Sequence, residues 1–78
     1  MIIKLNLLGL RCPELIIKLR QKVRKLKTGQ KILVKANDEF SKKDIKLFCR
    51  FMKHKLISIT IKKKFFLYYI KIGKKKKY

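Results

Sequence analysis

Acidic side chains are nearly missing from this sequence. Only Glu14, Asp38, Glu39 and Asp44 carry a carboxylate among 78 residues, and they do not cluster as paired catalytic acids would. Histidine occurs once, at His54, and cysteine twice, at Cys12 and Cys49, with no Cys-x-x-Cys pair. That is a poor basis for a metal site. Three glycines and one proline leave no glycine-rich phosphate loop. The longest apolar run, Phe65-Phe66-Leu67-Tyr68-Tyr69-Ile70, has six residues, whereas a bilayer span needs about 18–20. The start, Met1-Ile2-Ile3-Lys4, lacks the basic region, long apolar stretch and small-residue cleavage site of a signal peptide. These absences exclude a membrane span, point to a cytoplasmic chain and make an internal disulfide unexpected.

What is present sets a second bound. At 9.4 kDa with 47% apolar residues, the chain has material for one small core. A domain of this size buries only about 60–65% of its unfolded surface, so a large internal substrate cavity is not expected. The 24 basic residues give a formal charge of +20, a field that attracts nucleic acid or an anionic membrane without specificity. Yet 20 of them are Lys and only Arg11, Arg20, Arg24 and Arg50 are Arg, alongside 11 Ile. Arg is the usual reader of phosphate and guanine. A Lys- and Ile-rich composition is also what A+T-rich coding produces, and the lysines run along the whole chain, which favours drift over a dedicated polyanion patch.

Periodicity supplies the elements. Ile2 to Leu7 reads as a strand with Ile3, Leu5 and Leu7 on one face. Pro13 suits the first position of a helix; Ile16, Leu19, Val23 and Leu26 mark its buried face, and Thr28-Gly29 its end. Ile32-Leu33-Val34 forms a second strand. Ser41 with Asp44 resembles a capping box, and Phe40 with Ile45 a hydrophobic staple, opening a helix that buries Ile45, Phe48, Cys49 and Met52. Leu56 to Ile61 alternates as a strand, with Ile57, Ile59 and Ile61 on one face. Lys62-Lys63-Lys64 turns, and Phe65 to Ile72 is the last strand. The order βαβαββ predicts an α/β (α+β) two-layer sandwich, two helices packed on one face of a four-stranded mixed sheet. Residues 1–73 form the domain, and the basic tail, residues 74–78, is expected to be disordered.

Cys12 is the residue with chemical promise. It immediately precedes Pro13 and so falls at the N-cap of the first helix, where orphan N–H groups and the positive dipole end favour an anion. Arg11 adds a positive neighbour. The dipole alone, about 0.3–1 kcal/mol, lowers a thiol pKa by at most about 0.7 units. A thiol starting near 8.5 then lies at roughly 7–8, suited to thiol exchange. Ser, Thr, Asp or Asn would cap better, so the choice of Cys points to reactivity. Cys49, on an apolar helix face, reads as a buried structural thiol. His54 reads as a C-terminal cap or surface residue, since no acid stands by to orient it. Glu14 stabilises the first turn as an acid near the dipole or contacts a partner beside Cys12. Of the aromatics, Tyr68 or Tyr69 is the candidate for a stacking role outside the core.

Leu8-Gly9-Leu10-Arg11-Cys12-Pro13-Glu14 resembles the signature of the TusA/SirA family of sulfur carriers. So does the second half, from Lys35-Ala36-Asn37-Asp38 through Asp44-Ile45 to Phe48-Cys49-Arg50-Phe51-Met52-Lys53-His54-Lys55-Leu56. The similarity runs over residues 5–72. It implies the two-layer fold already reached, and that Cys12 carries sulfur as a persulfide, with Arg11, Pro13, Glu14 and Leu15 supporting it. It further implies a cysteine desulfurase as donor, a TusBCD-like relay complex as acceptor, and a tRNA wobble uridine as the indirect destination. The chain is expected to be a monomer with no cofactor of its own, pyridoxal phosphate belonging to the desulfurase.

The family motif is Cys-Pro-x-Pro, and here Leu15 replaces the second proline. As N3 it retains an N–H, which is expected to donate to the Cys12 sulfur. Asn37 stands in place of an acid, and Glu39 and Lys46 in place of prolines. These three are expected to lie away from the cysteine and to affect loop rigidity and surface charge. Two other readings compete. One is a basic nucleic-acid-binding module; the other is a sulfur carrier for another pathway, such as molybdenum-cofactor or sulfur-oxidation metabolism.

Overall fold

The computed structural model describes residues 2–11 and 13–73. Cys12 and the tail, residues 74–78, lie outside the described residues. The elements follow in the order β1 (Ile2–Asn6), α1 (Glu14–Arg24), β2 (Lys31–Ala36), α2 (Ser41–Phe51), β3 (Lys55–Ile61) and β4 (Phe66–Lys71). The sheet order is β1-β2-β4-β3. β1 runs parallel to β2, while β4 is antiparallel to both β2 and β3. This is the mixed sheet and α+β sandwich that the sequence predicts.

The core is one cluster between helices and sheet. Ile32, Val34 and Ala36 from β2 and Tyr68 and Ile70 from β4 face Leu15, Leu19, Val23, Ile45, Phe48 and Cys49 from the helices. Alternation decides this: in β2 every second residue is buried, and Lys31, Leu33 and Lys35 point to the other side. A two-layer design therefore leaves one face of the sheet without a helix. Tyr68 belongs to the core, fully buried, and its hydroxyl has no hydrogen-bond partner among the described residues. Tyr69 is on the open face.

Several expectations are corrected. The buried stripe of α1 is Leu15, Leu19 and Val23, with Leu26 just beyond its end, while Ile16 is only half-buried. The helix stops at Arg24 rather than at Thr28-Gly29. Lys25 and Leu26 N–H groups donate to the carbonyls three residues back, a tightened last turn. Gly29, at φ +90°, instead leads into β2, its N–H donating to the Ile72 carbonyl at 2.8 Å.

The capping box at Ser41 is not formed as predicted. Asp38 accepts from the Phe40 N–H at 3.2 Å and from the Ser41 hydroxyl at 2.7 Å, so the capping carboxylate stands three residues earlier. Phe40 is 84% exposed, which rules out the staple. In β3 a bulge at Ile57 shifts the register between Leu56 and Ser58. Leu56 and Ile59 face the core, and Ile57 and Ile61 are exposed, so the predicted alternation holds only on one side of the bulge.

The end of α2 is a Schellman turn. The His54 N–H donates to the Cys49 carbonyl at 2.8 Å and the Lys53 N–H to that of Arg50 at 3.3 Å. Lys53 takes the left-handed conformation, φ 59°, that glycine usually supplies. His54, expected to be a cap or a surface residue, is buried. Its Nδ1 accepts the Gly73 N–H at 2.9 Å and its ring packs on Phe48 with centroids 5.6 Å apart. It fastens the α2–β3 corner to Gly73, two residues past β4.

Candidate functional site around the Cys12 loop

The parallel pair β1 and β2 sends both of its following loops out at the same end of the sheet. One loop, residues 7–13, carries Cys12; the other, residues 37–40, leads to α2. Asparagines tie the first loop down. Asn6 Oδ1 accepts the Leu8 N–H at 3.0 Å, and Asn37 Oδ1 accepts the Gly9 N–H at 2.9 Å. The Leu7 N–H donates to the Lys35 carbonyl at 2.7 Å, and Leu10 N–H closes back on Leu7 at 3.2 Å. Gly9 sits at φ +82° with open space where a Cβ would be, so it is the backbone conformation that demands glycine there.

Asn37 is thus no remote surface change: it reaches across the loops to hold the segment that leads into Cys12. The departure from an acid at this position retains the acceptor and removes a negative charge beside the Gly9 segment. The sequence marks Asn37 only as a departure from the family pattern. No local spacing pairs it with Gly9, 28 residues away.

Arg11, Pro13 and Glu14 are exposed, while Leu15 is fully buried. Pro13 occupies the cap position of α1 with helical φ −92° and ψ −7°, one residue later than predicted. Glu14 opens the helix as its first-turn acid, a favourable place for a carboxylate. The Leu15 N–H donates to the Arg11 carbonyl at 3.0 Å. It is engaged within the backbone; the expected bond to the Cys12 sulfur falls on a residue outside those described. Leu15 anchors the start of α1 through its side chain, packed in the core.

Beside Pro13 an apolar groove of about 960 Å³ runs between the two helices. Ile17, Leu47 and Phe51 line it and are 48%, 54% and 77% exposed, with Arg20 and Arg50 also on its wall. The groove is open to the surface, not an enclosed cavity of the kind the chain length disfavours. Cys49, in the same layer, is a buried free thiol. Burial pushes its pKa up to about 11, so it stays protonated at neutral pH, as expected of a structural cysteine. Among the described residues no three His, Cys, Asp or Glu side chains gather as a metal site, and no helix is long and apolar enough to cross a membrane.

Comparison with known proteins agrees with the fold and with the motif. The crystal structure of a SirA-like protein from Desulfitobacterium hafniense matches with a TM-score of 0.79 and 20% identity, covering 95% of this chain and 100% of that one. At that identity the likeness establishes the shared fold. The family model described as sulfurtransferase TusA matches residues 3–72, spanning β1 to the end of the sheet together with the Arg11-Cys12-Pro13-Glu14 segment. The chain therefore belongs to the TusA family of sulfurtransferases.

Proposed function

We propose that this protein is a persulfide carrier with Cys12 as the loaded residue. The Cys12 thiolate attacks the outer sulfur of a cysteine desulfurase persulfide. A new S–S bond forms at Cys12 as the donor S–S bond breaks, and the donor cysteine leaves as thiolate. The acceptor thiolate then attacks the outer sulfur on Cys12 and releases it as thiolate. Both steps are thiol–disulfide exchanges without net oxidation. No cofactor on this chain is needed, since pyridoxal phosphate serves the donor. The acceptor is a TusBCD-like relay complex, and the sulfur ends in the 2-thio group of a tRNA wobble uridine in the cytoplasm. The carrier works as a monomer.

The observation that carries this reading is the family match across the cysteine motif. The interhelical groove supports it, because exposed Ile17, Leu47 and Phe51 give a partner an apolar seat one residue from Cys12 in the chain. Arg20 and Arg50 favour partners with acidic docking surfaces, which speeds encounter and makes it salt-sensitive. The test is incubation with a cysteine desulfurase, cysteine and pyridoxal phosphate, followed by intact mass. We expect one added sulfur atom, lost in Cys12→Ser and kept in Cys49→Ala. Uptake that survives Cys12→Ser overturns the assignment.

A further inference from the structure

All four carboxylates lie on the helix layer or its loops: Glu14 in α1, Asp38 and Glu39 before α2, Asp44 within α2. The sheet contributes none, and the charged residues of its open face are all basic: Lys4, Lys31, Lys35, Lys55 and Lys71. Register pairs Lys31 with Lys71 and Lys71 with Lys55, so three lysines stand in one row across β2, β4 and β3, about 5 Å from one strand to the next. Like charges directly opposite on neighbouring strands are destabilising. The next row holds Lys4, Leu33, Tyr69 and Ser58, and the one after it Asn6, Lys35, Leu67 and Thr60. Lys31 lies over the Tyr69 ring at 5.9 Å and Lys35 over Phe65 at 4.3 Å. Lys4, Leu33, Lys35, Phe65 and Leu67 together border a shallow depression.

We propose that this open sheet face binds single-stranded nucleic acid. Lysine ammonium groups track the phosphates, and Tyr69 and Phe65, bordered by Leu33 and Leu67, offer flat apolar surface for bases. A positively charged groove interleaved with aromatic rings is how sequence-tolerant single-strand binders work. An acidic protein would satisfy the charges but would leave the half-exposed rings without a role, and this favours nucleic acid. Compositional drift explains many lysines. It does not by itself explain why three stand in cross-strand register on the face that carries Tyr69 and no acid. The lysine row is at the opposite end of β2 from the Cys12 loop, six residues or about 20 Å along the strand, whereas Lys35 adjoins that loop, its carbonyl accepting the Leu7 N–H; substitutions in the lysine row therefore act away from Cys12.

The experiment titrates a fluorescent single-stranded oligouridylate and a mixed-sequence RNA at several salt concentrations, with the same RNA as a duplex and polyglutamate as competitors. The Lys31→Gln/Lys71→Gln variant is expected to lose at least about tenfold in affinity and about 1.4 in the slope of log K against log salt, two phosphates at about 0.7 each. Tyr69→Ser is expected to weaken binding with the slope unchanged. The helix-layer control Lys43→Gln/Lys46→Gln removes the same charge and is expected to cost less than about twofold. Equal losses in the two double variants, no RNA binding, or tighter binding of duplex or polyglutamate would each overturn the proposal. Relief of lysine repulsion is read separately: Lys71→Gln raises the Tm of the free protein at low salt, and an unchanged or lower Tm counts against the argument. Sulfur loading of Cys12 proceeds normally in the sheet variants, so failure here is distinguishable from failure of the carrier assignment.

Discussion

The two helices are the same length, share one layer and follow the two parallel strands, yet they are fastened differently. α2 is held at both ends. Asp38 caps its start through the Phe40 N–H and Ser41 hydroxyl, and a Schellman turn with the His54–Gly73 hydrogen bond closes its end. The cap residue of α1, Pro13, makes no side-chain hydrogen bond, just as Phe40 makes none at α2, and α1 ends in a plain tightened turn. Both helices carry an acid in the first turn, Glu14 in α1 and Asp44 in α2, a favourable place for a carboxylate; what distinguishes α2 is the additional Asp38 ahead of it. The cysteines divide in the same way: Cys49 is locked protonated within the better-fastened helix, and Cys12 precedes the one left open.

Attacking the fastenings of α2 should produce the largest effects. A Cβ at residue 73 would meet the Lys53 carbonyl oxygen at 1.7 Å, so Gly73→Ala is expected to cost about 2–4 kcal/mol in denaturant unfolding. A cost below about 1 kcal/mol would show that the corner yields. Asp38→Ala removes two acceptors and should lose about 1–2 kcal/mol, with sulfur loading kept. Equal stability would mean that the cap is dispensable.

Cys49 sharpens the contrast through pH. Its folded pKa, raised by burial to about 11 from 9.0, favours the protonated form. The stabilisation is complete below pH 9 and is lost as pH rises through 11, at up to about 1.4 kcal/mol per pH unit. Burial, and secondarily the Asp38 carboxylate, also raises the Tyr68 pKa, and this adds to the alkaline loss. Unfolding followed from pH 8 to 11 should be less steep in Cys49→Ala, and identical slopes would refute the Cys49 share.

Lys53→Gly relieves left-handed backbone and should gain about 0.5–1 kcal/mol; a loss would mean that the lysine side chain matters more than its φ angle. The smallest effect is expected at the open helix. Asn37→Asp keeps the acceptor for Gly9 and restores a charge, raising the Cys12 pKa by a few tenths of a unit, as read from alkylation rate against pH. A fall in that pKa would contradict the electrostatic contrast between the helices.

Local patterns made the element order, the layers and the burial of Cys49 readable from residues alone. Alternation in β2 and the three- and four-residue spacing in α2 survive folding because each buries one continuous face. The missed features are those decided by distant partners. Asn37 finds Gly9 and His54 finds Gly73 only when the sheet assembles. Asp38 rather than Ser41 supplies the oxygen at the start of α2 because the helix opens at Ser41 itself, with Phe40 in the cap position one residue earlier than the Ser-Asp spacing suggests. The only local sign of the bulge at Ile57 is the consecutive apolar pair Leu56-Ile57, which breaks the alternation of the residues that follow. Phe40, which reads as a staple, is turned outward once Asp38 takes the cap.

That bulge has a consequence between molecules. β3 is an outermost strand, and Ile57 and Ile61 on it are exposed, the composition of a strand prone to recruit another copy edge to edge. An interrupted ladder cannot offer an incoming chain an unbroken row of amide and carbonyl groups. Lys55 at one end and Lys62-Lys63-Lys64 at the other repel a second copy approaching in register. On this edge, exposed isoleucine is offset by one misplaced residue and by the charges that bracket it, which oppose strand-to-strand recruitment of a second copy.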